Sequence, residues 1–198
     1  MIKDAQNIYP INELSRTRWS PRAFSHQPVE KEKLQSILEA ARWSPSGGNE
    51  QPWRLIVGIY PDQTWTKIFE TLDDGNKIWV KNVPLIILSI GKRTRGKRNV
   101  ENAWFAYDTG QAMAHLTFEA MSLGLYVHQM AGFDQQFATR LFEIPADHQP
   151  LTVIALGYLG DPASLPEDLN KSELSARTRK DFSEFVFSGS FGQETDIV

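Results

Sequence analysis

The sequence predicts a mixed α/β fold with a sheet of four or five strands. Residues 55–60, 85–90 and 151–159 are nearly continuous apolar runs of strand length. Between them lie stretches whose apolar residues recur at i, i+3, i+4 and i+7, the pattern of helices with one buried face. No internal repeat and no Gly/Ser linker breaks the 198 residues, so residues 1–198 read as one domain, long enough to bury a substantial core.

Residues 10–17 read as helix, with Ile11 and Leu14 on one side. Arg18-Trp19-Ser20-Pro21-Arg22-Ala23-Phe24 is extended, because Pro21 disfavours helix at Ser20. A helix opens at Pro28, lines up Leu34, Ile37, Leu38 and Ala41, and stops near Trp43 ahead of Pro45. The run 55–60 reads as a buried strand ended by Pro61-Asp62. Residues 63–72 form a short helix with Trp65, Ile68, Phe69 and Leu72 inward, residues 73–77 a turn, and residues 77–80 a helical turn leading to Pro84. The run 85–90 is the central strand. Residues 91–99, with two Lys and three Arg, read as a mobile surface loop over a site.

The longest helix spans 101–123. Ala103, Ala106, Gly110, Ala112, Met113, Leu116, Ala120 and Leu123 cover most of its circumference, which places it centrally or in a subunit interface. Asp108 within it needs donors and reads as a structural acceptor rather than a base. Residues 125–130 are extended, 131–134 turn, and Asp134 caps a helix running to Glu143 with Phe137, Leu141 and Phe142 inward. The tail from 160 to 198 is polar and carries Phe182, Phe185, Val186, Phe187 and Phe191; a partner subunit is a candidate to cover them.

Composition narrows the function. Lys plus Arg is 21 and Asp plus Glu is 24, a formal charge of −3, which gives no support for general nucleic-acid binding. With no cysteine, disulfides, thiolate metal sites and Cys nucleophiles are excluded. The start, Met1-Ile2-Lys3-Asp4, lacks the apolar run of a signal peptide, and no stretch approaches the roughly 20 apolar residues of a membrane span, so a cytoplasmic protein is expected. No Gly-x-Gly-x-x-Gly follows the first strand and no Gly-x-x-x-x-Gly-Lys exists, so neither a Rossmann nor a P-loop site is supported. His26, His115, His128 and His148 show no metal-ligand spacing and read as surface or satisfied core residues.

What remains is a set of anion binders and a loop. Arg18, Arg22, Arg177 and Arg179 offer forked donors that suit an anion. Residues 43–53, Trp43-Ser44-Pro45-Ser46-Gly47-Gly48-Asn49-Glu50-Gln51-Pro52-Trp53, join a helix to a strand with more hydrogen-bonding groups than a turn requires. Two readings stand: a capped connection, or a loop that holds a ligand on a rigid scaffold. A chain without an obvious acid, base or nucleophile suggests that a cofactor carries the hard chemistry.

Taken together, Arg18 to Phe24, Leu38-Glu39-Ala40-Ala41 and Pro45-Ser46-Gly47-Gly48-Asn49-Glu50-Gln51-Pro52-Trp53-Arg54 resemble the FMN-dependent nitroreductase family in residues, order and spacing. Gly75-Asn76-Lys77-Ile78-Trp79, Tyr107 to Ala112, Gly124-Leu125 and Gly132-Phe133-Asp134 are similar to its middle section, and Gly157-Tyr158, Arg177-Thr178-Arg179 and the aromatic tail to its end. The resemblance implies an α+β sandwich, a central mainly antiparallel sheet flanked by helices, in an intertwined homodimer whose C-terminal extension wraps the partner, with FMN at the subunit interface. It implies an oxidoreductase that passes hydride from NADH or NADPH through flavin N5 to nitroaromatic, quinone or similar small-molecule acceptors by ping-pong kinetics. The other readings are a flavin-binding protein without nicotinamide turnover and a partner-binding dimer with no ligand.

The same resemblance implies site roles. Arg18, Trp19 and Ser20 would bind FMN, and Arg22 would reach the pyrimidine edge, where a cation favours the anionic reduced flavin. Pro45, Ser46 and Gly47 would come from the other subunit, with Asn49 supporting their loop. Asn76 and Lys77 would lie at the pyrimidine ring, and the backbone of Met130, Ala131 and Gly132 at N5. Arg177 and Arg179 would hold the phosphate. The segment Gln129-Met130-Ala131 lacks the Glu often found beside that Gly in the family.

Overall fold

A computed structural model describes residues 3–198. Met1 and Ile2, the start of the segment read as carrying no leader, lie outside the described residues. The strands are β1 (Trp53–Ile59), β2 (Leu85–Lys92), β3 (Thr94–Arg95), β4 (Val100–Glu101), β5 (Tyr126–Met130) and β6 (His148–Gly157). The helices are α1 (Glu13–Thr17), α2 (Lys31–Arg42), α3 (Gln63–Thr71), α4 (Asp74–Val80), α5 (Phe105–Ser122), α6 (Gln135–Leu141) and α7 (Glu167–Leu174). Four strands make the main sheet in the order β1-β2-β6-β5, and every neighbouring pair is antiparallel. β3 and β4 pair in a separate short hairpin.

The sheet is buried on both faces, so its inner strands read as continuous apolar runs. Successive side chains of β2 alternate between two cores, as a pleated strand requires. Ile86, Leu88 and Ile90 pack with Trp65 and Ile68 of α3, Trp79 and Val80 of α4 and Ala138 of α6. Leu85 and Ile87 pack with Ile37 and Ala41 of α2 and with Ala112, Met113, Leu116 and Ala120 of α5. This is the helix-flanked antiparallel sandwich that the family resemblance implies.

Several boundaries differ from expectation, each for a local reason. The helix expected from residue 10 begins at Glu13, because the Asn12 side chain caps it by accepting from Leu14 N; Ile11 lies outside it and is exposed. The segment 73–77 is not a turn: Asp73 accepts from Asn76 N and starts α4. β1 is an edge strand and only partly buried. Residues 91–99 are not a free loop, since Arg93 N donates to Asp147 O at 2.7 Å, Asn102 N donates to Arg93 O at 2.8 Å, and β3 and β4 pair. The polar tail contains an unforeseen helix, α7.

α5 is not buried all round. Asp108, Ala112, Leu116 and Ala120 face the core, while Trp104 just before it and Tyr107 on it are 62% and 65% exposed, with Ala114 and Phe118 further along the exposed side. Exposed Phe185 and Phe191 in the tail add to the uncovered apolar surface. No helix among the described residues is long and apolar enough to cross a membrane.

Candidate functional site

Residues far apart in sequence build one basic recess. Arg18, Trp19, Ser20 and Arg22 meet Arg177 and Arg179, with Lys3, Ser172 and Glu173, around a cavity of about 220 Å³. The extended segment is tied down from three sides. Phe24 bridges to Leu159, with Ser25 N donating to Tyr158 O. The buried carboxylate of Glu173 accepts from Arg22 N at 2.8 Å and Ala23 N at 2.9 Å. The His128 ring lies 2.8 Å from the Pro21 carbonyl, which only accepts, so Nδ1 carries the proton.

The recess carries an excess of positive charge, with four arginines and Lys3 around one carboxylate, Glu173, which accepts from backbone N–H groups. Burial holds the Arg18 guanidinium below its ordinary pKa, and the charges of Arg177 and Arg179 add to the effect. Burial, then Arg179, lowers Arg177 in the same sense. Lys3 is lowered by burial against the opposing pull of Glu173. Among the described residues, no ion pair joins Arg18, Arg22, Arg177 or Arg179 to a carboxylate. Arg177 donates to the carbonyls of Arg18 and Arg16, and its Nε, like Trp19 Nε1, is buried without a partner among the described residues. Burial also pushes the His128 imidazole down to about 4, with Arg22 and Arg18 adding and the Pro21 bond opposing. The ring is therefore neutral near neutral pH and acts as a donor that fixes the Ser20–Arg22 backbone.

A second cluster surrounds the turn after β5. Asn76 Nδ2 donates to Gly132 O at 3.0 Å, and Asp73 N donates to the same oxygen at 3.2 Å. A Cβ on Gly132 would stand 2.1 Å from Asp73 Oδ2 and 2.8 Å from Asn76 Nδ2, so any larger residue there must push these two side chains aside. Met130 is buried in the core and presents main chain only; Ala131 is exposed, and Lys77 is half-buried on α4. Asn76 is thus partly committed to the turn, and one amide hydrogen and its oxygen remain.

The third cluster is the loop 44–51. Gly47 to Asn49 form one 3-10 turn, with Gly48 at φ 59°, Asn49 at 57° and Gln51 at 47°. The loop is held by three bonds: Gly47 N donates to Asp108 Oδ2 at 3.1 Å, Gln51 N to Ser46 Oγ at 3.0 Å, and Gln51 Nε2 to Asn49 Oδ1 at 3.1 Å. Asp108 is the structural acceptor that its burial demanded. Pro45 is exposed on the same loop.

These clusters do not meet within one chain. The recess sits at the end of β6 near Gly157, because Trp19 packs on Tyr126, which pairs with Gly157. The loop 44–51 sits at the other end, where Pro52 O accepts from Lys92 N and Lys92 pairs with His148. Ten residues of β6 separate them, roughly 30 Å of strand. The Gly132 turn lies between, about 13 Å along β5 from Tyr126. Sequence reading named the arginines but missed Lys3, Glu173 and the positioning role of His128. Glu173 meets its partners only through the fold, 150 residues away from Ala23.

Fold and recess together define an α+β protein with an arginine-rich recess. The chain belongs to the nitroreductase family, whose model matches residues 15–72 and 59–158. The crystal structure of an oxidoreductase containing FMN superimposes with a TM-score of 0.90 at 33% identity, over 96% of each chain. An uncharacterized 15.4 kDa protein of Mycolicibacterium smegmatis is 34% identical over 131 residues, 66% of this chain and 86% of that one. An FMN reductase [NAD(P)H] of Bacillus subtilis is 26% identical, over 89% of this chain and 82% of the relative.

Proposed function

We propose that the protein is an FMN-dependent oxidoreductase that oxidises NAD(P)H and reduces nitroaromatic, quinone or similar electron-poor acceptors, working as a homodimer with FMN at the subunit interface. The names of its relatives support the cofactor and the donor. The observation that carries the reading is the recess itself: four arginines gathered around it form no ion pair with a carboxylate among the described residues, and two buried N–H groups there have no partner among those residues. That donor set fits the monophosphate of FMN, which brings about two negative charges and three acceptor oxygens.

Bound FMN would supply the two-electron chemistry, taking hydride from NAD(P)H and giving it to the acceptor in a ping-pong cycle. The chain's own residues bind and orient. Arg177 and Arg179, with Arg18 and Ser20, would hold the phosphate, and Arg22 would lie toward the ring, where its charge would ease reduction. His128 and Glu173 keep the backbone of this segment in place. Asn76, Lys77 and the main chain of Met130, Ala131 and Gly132 line the ring end.

The homodimer reading rests on two features. The uncovered apolar side of α5 and the aromatic tail are surface that a monomer rarely exposes. The distance between the recess and the loop 44–51 is the other. If Pro45, Ser46, Gly47 and Asn49 border the flavin, they do so in the neighbouring subunit's site.

Reconstitution tests the proposal. Purified protein incubated with FMN and passed through gel filtration is expected to run as a dimer and keep the flavin colour. Riboflavin, which lacks the phosphate, is expected to bind more weakly. A colourless protein refutes the reading, and equal affinity for riboflavin and FMN refutes the assignment of the recess to phosphate.

A further inference from the structure

The hairpin of β3 and β4 gathers Lys92, Arg93, Arg95, Lys97 and Arg98 within seven residues of a chain whose net charge is −3. The arrangement is held in place. Its base is bonded to Asp147 through Arg93 N and through Thr94 Oγ1, the latter at 3.3 Å. Near its tip Gly96 N donates to Glu50 Oε2 at 3.2 Å, which joins the hairpin to the loop 44–51. Two of the nearby acids are engaged in this scaffolding: Asp147 contacts His148 and Thr94, and Glu50 accepts from Gly96 N; Glu101 on β4 is exposed and forms no ion pair among the described residues. Among the described residues, none of the five cations forms an ion pair, and Arg93, Arg95, Lys97 and Arg98 are exposed. A surface that served only solubility would intersperse both signs of charge.

We propose that this hairpin binds the 2′-phosphate of NADPH, so that the protein uses NADPH in preference to NADH. The inference rests on the functional reading above, in which the loop 44–51 borders a flavin and the hairpin bonded to it stands at the mouth of the same site. The two donors differ at one place: NADPH carries a phosphate monoester on the adenosine ribose, where NADH has a hydroxyl. Several unpaired cations on an ordered ribbon discriminate between those groups, because each forms a charge-assisted hydrogen bond with the phosphate and only a weak one with the hydroxyl. The basic recess at the far end of the sheet is occupied by the flavin phosphate in this reading, so the two anion sites do not compete.

The test is flavin reduction in the FMN-loaded protein, anaerobically, with NADPH and with NADH. It compares the native chain with the triple variant Arg95→Ala, Lys97→Ala, Arg98→Ala. All three side chains are exposed, so the variant is expected to keep its fold and its FMN. The native protein is expected to show a higher second-order reduction rate with NADPH. The variant is expected to lose about tenfold or more of that rate, the equivalent of one charge-assisted hydrogen bond, with NADH little changed. The preference should shrink as salt rises. Equal rates with both donors in the native protein, or an equal loss for both in the variant, overturns this inference and leaves the flavin reading intact. FMN-loaded native protein that neither donor reduces overturns the enzymatic reading as well.

Discussion

Arg179→Ala separates ligand binding from folding more cleanly than any other substitution in the recess. Arg179 is exposed, and its one hydrogen bond among the described residues is from Nη1 to the neighbouring Thr178 carbonyl at 2.7 Å. Arg177, by contrast, ties the tail to the carbonyls of Arg16 and Arg18. A hydrogen bond to a charged group contributes ~1.5–3 kcal/mol, and the lower end applies at an exposed position. At about 1.4 kcal/mol per factor of ten, the FMN dissociation constant should rise roughly ten- to thirtyfold. The melting temperature of the flavin-free protein should move by no more than about 2 °C, as for a surface substitution. Quenching of FMN fluorescence on titration with protein gives the constant, and repeating it at high salt should narrow the difference. Riboflavin is the control, since its affinity should be unaffected. An unchanged FMN constant, or an equal loss for riboflavin, would show that the recess does not hold the phosphate.

Other expectations follow from the same geometry. Arg177→Ala should weaken FMN binding and also lower the melting temperature, because two backbone carbonyls lose their donor. Gly132→Ala should displace the Asp73 side chain that caps α4 and disturb the Asn76 bond. A lost cap costs about 1 kcal/mol, so thermal melting should fall by about 2–4 °C or more. Gly47→Leu should leave melting almost unchanged, because a Cβ there meets only Asp108 Oδ2 at 3.7 Å, while FMN occupancy drops; full occupancy would return the loop to a plain connection. His128, held at about 4 in the fold against 6.5 when exposed, is protonated first in the unfolded chain, so its contribution is complete above about pH 6.5 and is lost as pH falls toward 4. Denaturant titrations should show the native protein losing about 2 kcal/mol more than His128→Gln between pH 7 and pH 5; parallel curves would contradict the buried neutral ring.

Periodicity made most of the fold legible. The runs at 55–60, 85–90 and 151–159 became β1, β2 and β6, and Asp134 caps α6 as its place before an apolar pattern suggests; Asp62, read only as the end of a strand, also caps α3. Features that depend on distant partners were not legible. Residues 91–99 contain no alternating apolar pattern, and the hairpin exists because Asp147 anchors it. α7 is weakly amphipathic and owes its place to Glu173, whose carboxylate serves the Arg22–Ala23 backbone. α5 looked apolar all round because apolar residues stand on both its sides, those such as Leu116 facing the core and those such as Tyr107 and Phe118 exposed. The site was half legible: the arginines stood out by type, but no local signal could place Arg18 beside Arg177, 159 positions later. Nor could one show that the loop 44–51 lies at the opposite end of the sheet.

Electron transfer from a nicotinamide through bound FMN to an acceptor is open to direct test by anaerobic mixing of the FMN-loaded protein with NADPH or NADH, followed by the visible absorbance of the flavin. At least one donor is expected to bleach the flavin, and adding a quinone or nitroaromatic is expected to restore the colour. Bound FMN that keeps its colour with both donors would contradict this and leave a flavin-binding protein without nicotinamide turnover.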